Sequence, residues 1–278
     1  MENRTYLDGP SKIAYRTYGV PDGSPVLILH GLFGMADNWH TIAGKLVQAA
    51  RDNGSDIYVV VMDLPDHGFS PWVDELNYRV LADAVVLTIR GLGLVRPVLM
   101  GHSMGGKTAM LTAALNPQLI SGLIVVDIAP RAYPDGHSGI IQALEELPVS
   151  QLETRQAADA ALAKSLPSAV LRSFLLKNLR QEEAGYSWLF NIQGISQGYS
   201  ELRSWHHTDA RYDGPMEVIA GAESDYIQPA RGDIELIQQY CSDAGVTMIN
   251  GAGHWVHSHK REEFLRVLTE ILSKWHIL

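Results

Sequence analysis

Over the first 130 positions of this chain, short runs of consecutive apolar residues alternate with longer stretches of helical period. Lys12–Tyr18 alternates apolar and polar side chains and reads as a half-buried strand. Pro25–His30 and Ile57–Met62 are apolar nearly throughout, as strands covered on both faces of a parallel sheet must be. Trp39–Arg51, between them, has a helical period. Further along, Leu81–Gly91 predicts a helix, Pro97–Met100 a strand, Lys107–Leu115 a helix ended by Asn116-Pro117, and Leu123–Ile128 another buried strand. This rhythm predicts the α/β class with a mostly parallel, doubly wound sheet.

The rhythm breaks after Pro130. No core strand is legible from Ala132 to Asp209, only helical segments at Gln151–Leu166 and Ala169–Arg180, followed by Tyr186, Trp188, Phe190, Tyr199 and Trp205 among several glycines. The α/β pattern then resumes with strand Pro215–Ala220, helix Ile234–Ala244, strand Val246–Asn250 and helix Arg261–Trp275. The expected organisation is therefore a core made of residues 1–131 and 209–278, with residues 132–208 inserted as a helical cap, or lid. Its aromatics either form the cap's own core or line a pocket, and Trp188 is a candidate for the latter.

Bulk properties narrow the function. The 278 residues are 46% hydrophobic and 19% charged, ordinary values for a chain that buries a sizeable core. A formal net charge of −9 without a Lys/Arg cluster argues against nucleic acid and anionic membrane surfaces as partners. One cysteine, Cys241, allows no internal disulfide and no four-cysteine zinc site. The first nine residues contain no apolar segment of a signal peptide, and no apolar run has the length of a membrane span. The expected setting is cytoplasmic. No His/Asp/Glu cluster has metal-ligand spacing and no phosphate-binding glycine motif appears, so no cofactor or metal is expected.

Gly101-His102-Ser103-Met104-Gly105 carries the chemistry. It lies between a predicted strand and a predicted helix, the setting in which Gly-x-Ser-x-Gly forms a nucleophile elbow with its serine oxygen exposed. A serine hydroxyl needs a base, and the base needs an orienting acid. His254, in Gly251-Ala-Gly-His254, follows the last predicted strand, where the base belongs; His257 and His259 read as structural or solvent-facing. Two carboxylates precede it in the required order, Asp127 at the end of Leu-Ile-Val-Val-Asp127 and Asp225 in the loop after Pro215–Ala220. Spacing does not choose between them. Two oxyanion donors are expected from the N–H groups of Met104 and of Leu32 or, second, Phe33, in His30-Gly31-Leu32-Phe33-Gly34. His102 sits on the elbow pointing away from the serine oxygen. Phe33, His102, Trp188 and Trp255 are the candidate pocket residues, and Asp63-Leu-Pro-Asp-His67-Gly-Phe-Ser70 reads as a structural turn near the site.

The blocks His-Gly-Leu-Phe-Gly, Asp-x-x-x-His-Gly-x-Ser, Gly-His-Ser-Met-Gly-Gly-Lys, Val-Asp-Ile-Ala-Pro and Gly-Ala-Gly-His-Trp-Val-His occur in order across residues 30–257. Together they resemble the α/β-hydrolase superfamily, in particular small bacterial esterases of the YbfF type and mitochondrial α/β-hydrolase-domain relatives. The resemblance implies an α/β-hydrolase fold with a helical cap and a carboxylesterase acting on small-molecule esters of short to medium acyl chains, acyl-CoA thioesters being a further class. It also bears on the acid: the YbfF-type pattern puts it at the position of Asp127, the wider superfamily at that of Asp225, and of the two Asp127 is preferred. Other classes on the same fold are a ligand-binding or signalling protein with little turnover, and a carbon–carbon bond hydrolase or perhydrolase.

Overall fold

The computed structural model describes residues 12–278 and, before them, the backbone of one short strand, Arg4–Tyr6. The reading of residues 1–9 as lacking a signal segment lies, apart from that strand, outside the described residues. The strands are β1 (Arg4–Tyr6), β2 (Ala14–Gly19), β3 (Ser24–Leu29), β4 (Ile57–Met62), β5 (Val98–His102), β6 (Gly122–Val126), β7 (Leu179–Gln181), β8 (Tyr186–Trp188), β9 (Met216–Gly221) and β10 (Gly245–Ile249). The helices are α1 (His40–Asp52), α2 (Tyr78–Gly91), α3 (Met104–Leu115), α4 (Ser138–Glu146), α5 (Arg155–Leu162), α6 (Ala169–Leu176), α7 (Ile192–Arg203), α8 (Asp233–Tyr240), α9 (Val256–His259) and α10 (Arg261–Lys274).

Eight strands form one sheet in the order β1-β2-β4-β3-β5-β6-β9-β10. The β1–β2 and β2–β4 pairs are antiparallel, and every pair from β4 to β10 is parallel. The uninterrupted apolar runs follow from this position. On one face Leu27, Leu29, Val60, Met62, Leu99 and Val125 meet α2 and α3; on the other Val26, Ile28, Val59, Val61, Met100 and Ile124 meet α1 and α10. Each covering helix supplies a stripe, such as Ile42, Leu46 and Ala50 on α1 or Leu81, Val85 and Ile89 on α2. Helix α3 is buried almost all round, and its Thr108 and Thr112 hydroxyls donate to the carbonyls of Met104 and Thr108 one turn back.

Residues between β6 and β9 add no strand to this sheet. They hold α4–α7 and a two-stranded antiparallel hairpin, β7–β8. Buried Arg172 joins α5 and α6 by donating to Asp159 (2.8 Å) and to the carbonyls of Leu166 (2.8 Å) and Pro167 (3.0 Å). Phe190, Tyr186 and Trp205 are packed in the same apolar cluster as α2 and α3, so most of the aromatics here are core.

Local differences from the sequence expectation have physical causes. The first segment starts as a helix only at Arg155, because the Thr154 hydroxyl caps it by accepting the Ala157 N–H (3.1 Å). The second stops at Leu176 and continues as β7. Helix α7 was not expected, since Gly194 and Gly198 read as loop. A Cβ at Gly198 would stand 2.5 Å from the Leu76 carbonyl, so the glycine is what lets α7 lie against the core. Helix α4 and strand β1 were likewise not expected.

Core side chains hold α7 at both ends. At its start, Asn191 donates its N–H to the Asp66 carbonyl (2.8 Å) and its Nδ2 to Asp66 Oδ1 (3.0 Å). At its finish, the buried Lys107 amine donates to the carbonyls of Ser204 (2.8 Å) and Arg203 (3.3 Å). A carboxylate at the N-terminus and an amine at the C-terminus are each placed so that their charged forms match the helix dipole, although burial lowers the Lys107 pKa to about 7. Replacing Lys107 by Met leaves the Ser204 carbonyl without a donor, while the Arg203 carbonyl keeps the Tyr133 N–H (2.8 Å), and should lower stability by about 1–3 kcal/mol, the range for a buried group left unsatisfied. The readout is the urea midpoint at unchanged slope; an unshifted midpoint would show that Lys107 does not hold α7.

Candidate active site

Five loops converge where the parallel strands end, the edge at which α/β sheets bind ligands. They follow β3, β5, β6, β9 and β10. Ser103 follows β5 with φ 54° and ψ −118°, a left-handed conformation rare for a residue with a side chain. Its N–H donates to the Val126 carbonyl (3.0 Å) and its carbonyl accepts from the Lys107 N–H (3.1 Å). The turn closes only because its neighbours lack side chains. A Cβ at Gly101 would collide with the Gly105 carbonyl, and one at Gly105 with the His30 carbonyl.

The structure brings Ser103, His254 and Asp127 together. His254 Nε2 lies 3.0 Å from Ser103 Oγ, and its Nδ1 lies 2.7 Å from Asp127 Oδ2. A carboxylate only accepts, so Nδ1 carries the ring proton and Nε2 accepts from the serine hydroxyl. Asp127 is fully buried. It accepts the Gly221 N–H at Oδ1 (2.9 Å) and the Ser224 hydroxyl at Oδ2 (2.5 Å). Burial raises its pKa to about 6; Ser224, Gly221 and His102 act against that rise. Burial lowers the His254 pKa, so the ring is neutral at pH 7, as a base requires.

Asp225, the other carboxylate weighed from the sequence, is exposed and is not hydrogen-bonded to His254. Its neighbours turn inward in its place. Ser224 binds Asp127, and the Tyr226 ring stacks on the His254 imidazole with centroids 3.6 Å apart and planes within 14°. Neither role was foreseen; the signal was the loop itself, read for the wrong member. Tyr133 steadies this loop by donating its hydroxyl proton to the Tyr226 carbonyl (2.7 Å).

Leu32 and Met104 flank the serine, and neither N–H finds an acceptor among the described residues. Phe33 has φ 59° and its carbonyl accepts from Asn178 Nδ2 of the insertion (2.9 Å). The Asp63–Ser70 turn braces this loop. Asp63 Oδ1 accepts the Ala36 N–H (2.6 Å), and His30 Nε2 accepts the Leu64 N–H (2.9 Å). His102 is buried, its pKa pulled down to about 3 by burial, and its Nε2–H donates to the His254 carbonyl (2.9 Å). His257 stacks on Trp39 at 4.2 Å, and His259 Nδ1 accepts the Gly253 N–H (3.1 Å).

A cavity of about 320 Å³ opens over Ser103. Phe33, His102 and Trp255 line it, joined by Ile140, Leu171 and Phe174 of the insertion. Trp188 does not line it: it stacks on Phe190 at 4.9 Å, and Phe190 in turn meets Phe33. Among the described residues, no group of three His, Cys, Asp or Glu side chains could hold a metal ion, and no helix is long and apolar enough to cross a membrane.

Ser103, hydrogen-bonded to His254 and beside two N–H groups without an acceptor among the described residues, lies at the carboxyl edge of a parallel sheet under an inserted helical segment. The chain belongs to the Alpha/beta hydrolase family, whose pattern matches residues 26–267. It is 35% identical over 273 residues to the sn-1-specific diacylglycerol lipase ABHD11 of Xenopus laevis, covering 95% of this chain and 85% of that protein. To Esterase YbfF of Escherichia coli (strain K12) it is 33% identical over 253 residues, covering 91% and 94%. A solved structure described as a marine microorganism esterase superposes with a TM-score of 0.85 at 34% identity, covering 94% of this chain and 99% of that one.

The geometry predicts a pH dependence. Protonating the Asp127–His254 pair removes the acceptor of Nδ1–H and the base for Ser103. Covalent labelling of Ser103 by a fluorophosphonate should thus be fast above pH 7 and slow as pH falls through about 6, the value to which burial raises Asp127. Undiminished labelling at pH 4.5 would contradict this. Tyr226→Phe, which keeps the stacked ring, should label within about threefold of wild type, and Tyr226→Leu about tenfold more slowly.

Proposed function

We propose that this protein is a carboxylesterase that works through an acyl-enzyme. Ser103 Oγ attacks the ester carbonyl while His254 Nε2 takes its proton and passes it to the departing alcohol; water, activated the same way, then releases the acid. Asp127 is the orienting acid. The N–H groups of Leu32 and Met104 hold the oxyanion. One observation carries this reading: the Ser103–His254–Asp127 hydrogen-bond chain at the floor of a cavity, with both N–H groups unpaired beside it. Relatives named as esterases and lipases over nearly the whole chain support it.

Residues 132–208 act as the lid over a core of residues 1–131 and 209–278, and their side chains in the cavity limit the acyl groups to short and medium lengths. Acyl-CoA thioesters are a further substrate class, since the same attack and protonation cleave them. The single, buried, unpaired Cys241 suits a cytoplasmic setting.

Ser103→Ala should abolish hydrolysis of p-nitrophenyl esters. Asp127→Asn should lower kcat by two orders of magnitude or more, whereas Asp225→Asn should leave it within twofold. Equal losses in the two variants would overturn the assignment of the acid. Leu32→Pro removes one oxyanion donor and should cost about 10²–10³ in kcat, with near-normal turnover excluding that N–H.

A further inference from the structure

The inserted segment grips the loop after β3 through one buried amide. Asn178, between α6 and β7, donates its Nδ2 to the Phe33 carbonyl (2.9 Å) and to the Leu175 carbonyl (3.2 Å). Both neighbours only accept, which fixes the amide with its nitrogen toward them. Its backbone is pinned as well. The Asn178 N–H donates to the Leu175 carbonyl (3.0 Å), and the Asn178 carbonyl accepts from the Leu189 N–H (2.8 Å). Its Oδ1 is buried with no hydrogen-bond partner among the described residues, an arrangement that packing alone disfavours.

The amide holds a tight turn. Gly34 donates its N–H to the Gly31 carbonyl (2.9 Å), and Phe33 sits inside that turn with φ 59°, a conformation that a bulky residue keeps only under constraint. A trans peptide points its C=O and its N–H in opposite directions. The Phe33–Gly34 peptide accepts from Asn178 at its oxygen and donates onward to Gly31. The Gly31–Leu32 peptide accepts that bond and presents the Leu32 N–H on its other side. Three amides thus stand head to tail, ending on an N–H that has no acceptor among the described residues and flanks Ser103. Hydrogen bonds in such a series polarise one another. His30 adds a second hold on the same peptide. Its Nε2 accepts from the Leu64 N–H, so its Nδ1 carries the proton and donates to the Gly31 carbonyl (2.8 Å).

We infer that Asn178 is a positioning residue that aims the Leu32 N–H at the oxyanion through the Phe33 and Gly31 carbonyls. The segment that covers the cavity then also sets one of the donors beside Ser103. Asn178 does not line the cavity and acts only through the turn. The inference rests on the carboxylesterase reading and on Leu32 as a donor.

Asn178→Leu keeps the volume and removes the amide. It should lower kcat for p-nitrophenyl butyrate about tenfold, less than loss of the donor itself, with KM within twofold. Heptyl trifluoromethyl ketone, which adds to Ser103 as an anionic hemiketal, should bind about tenfold more weakly. The decisive comparison adds Asn178→Leu to Leu32→Pro. The second change should then cost less than about twofold further, because the group that Asn178 aims is gone. Losses that multiply, or an unchanged affinity for the ketone in Asn178→Leu alone, would overturn the inference while leaving the esterase reading intact. Wild-type protein that cleaves no p-nitrophenyl ester would defeat both. Should Asn178→Leu fail to fold, Asn178→Ala, which adds no bulk, takes the same comparisons.

Discussion

The left-handed backbone at Ser103 is the constraint from which the site is built. Such a conformation costs a residue with a side chain about 1–3 kcal/mol, and the surroundings must hold it there. Here they do so through hydrogen bonds to the Val126 carbonyl and the Lys107 N–H, and through glycine contacts that admit no Cβ. Three results come from the one turn. The serine oxygen is lifted clear of the sheet, α3 begins at once so that Met104 presents its N–H to the same space, and Gly105 lies close enough to β3 to bring Leu32 alongside.

The buried carboxylate of Asp127 is the second cost in this design. An ionised group without solvent requires several donors, and it has the Gly221 N–H, the Ser224 hydroxyl and the imidazole of His254. Two of the three come from one element, β9 and the loop behind it, which also lays Tyr226 over the imidazole. That loop holds the Asp127 carboxylate, and through it the His254 imidazole.

Much of the fold was legible because burial on both faces of a parallel sheet writes itself as unbroken apolar runs. Val26–Leu29, Val59–Met62 and Leu123–Val126 could be little else. The structure brings Ser103 and His254 together because each stands in a loop after a parallel strand, as their chain positions suggested. Which carboxylate meets His254 was less legible, because chain position does not reveal which of Ser224, Asp225 and Tyr226 turns inward; the turn buries the serine and exposes the aspartate. Trp188 misled for a related reason, since an aromatic side chain satisfies a neighbouring ring as well as a cavity. Helix α7 was hidden by its glycines, whose close packing becomes visible only in the fold, Gly198 against Leu76 and Gly194 against Asn191 and Asp66.

Helix α7 is tied to polar side chains of the core at its two ends, Asp66 at one and Lys107 at the other. A rod fixed at both ends can twist but not lift. Tyr199, Leu202 and Arg203, which reach the space beside Ser103, are thereby carried on an element whose two ends are tied to the α/β core, so the floor of the site and this part of the insertion form one hydrogen-bonded unit.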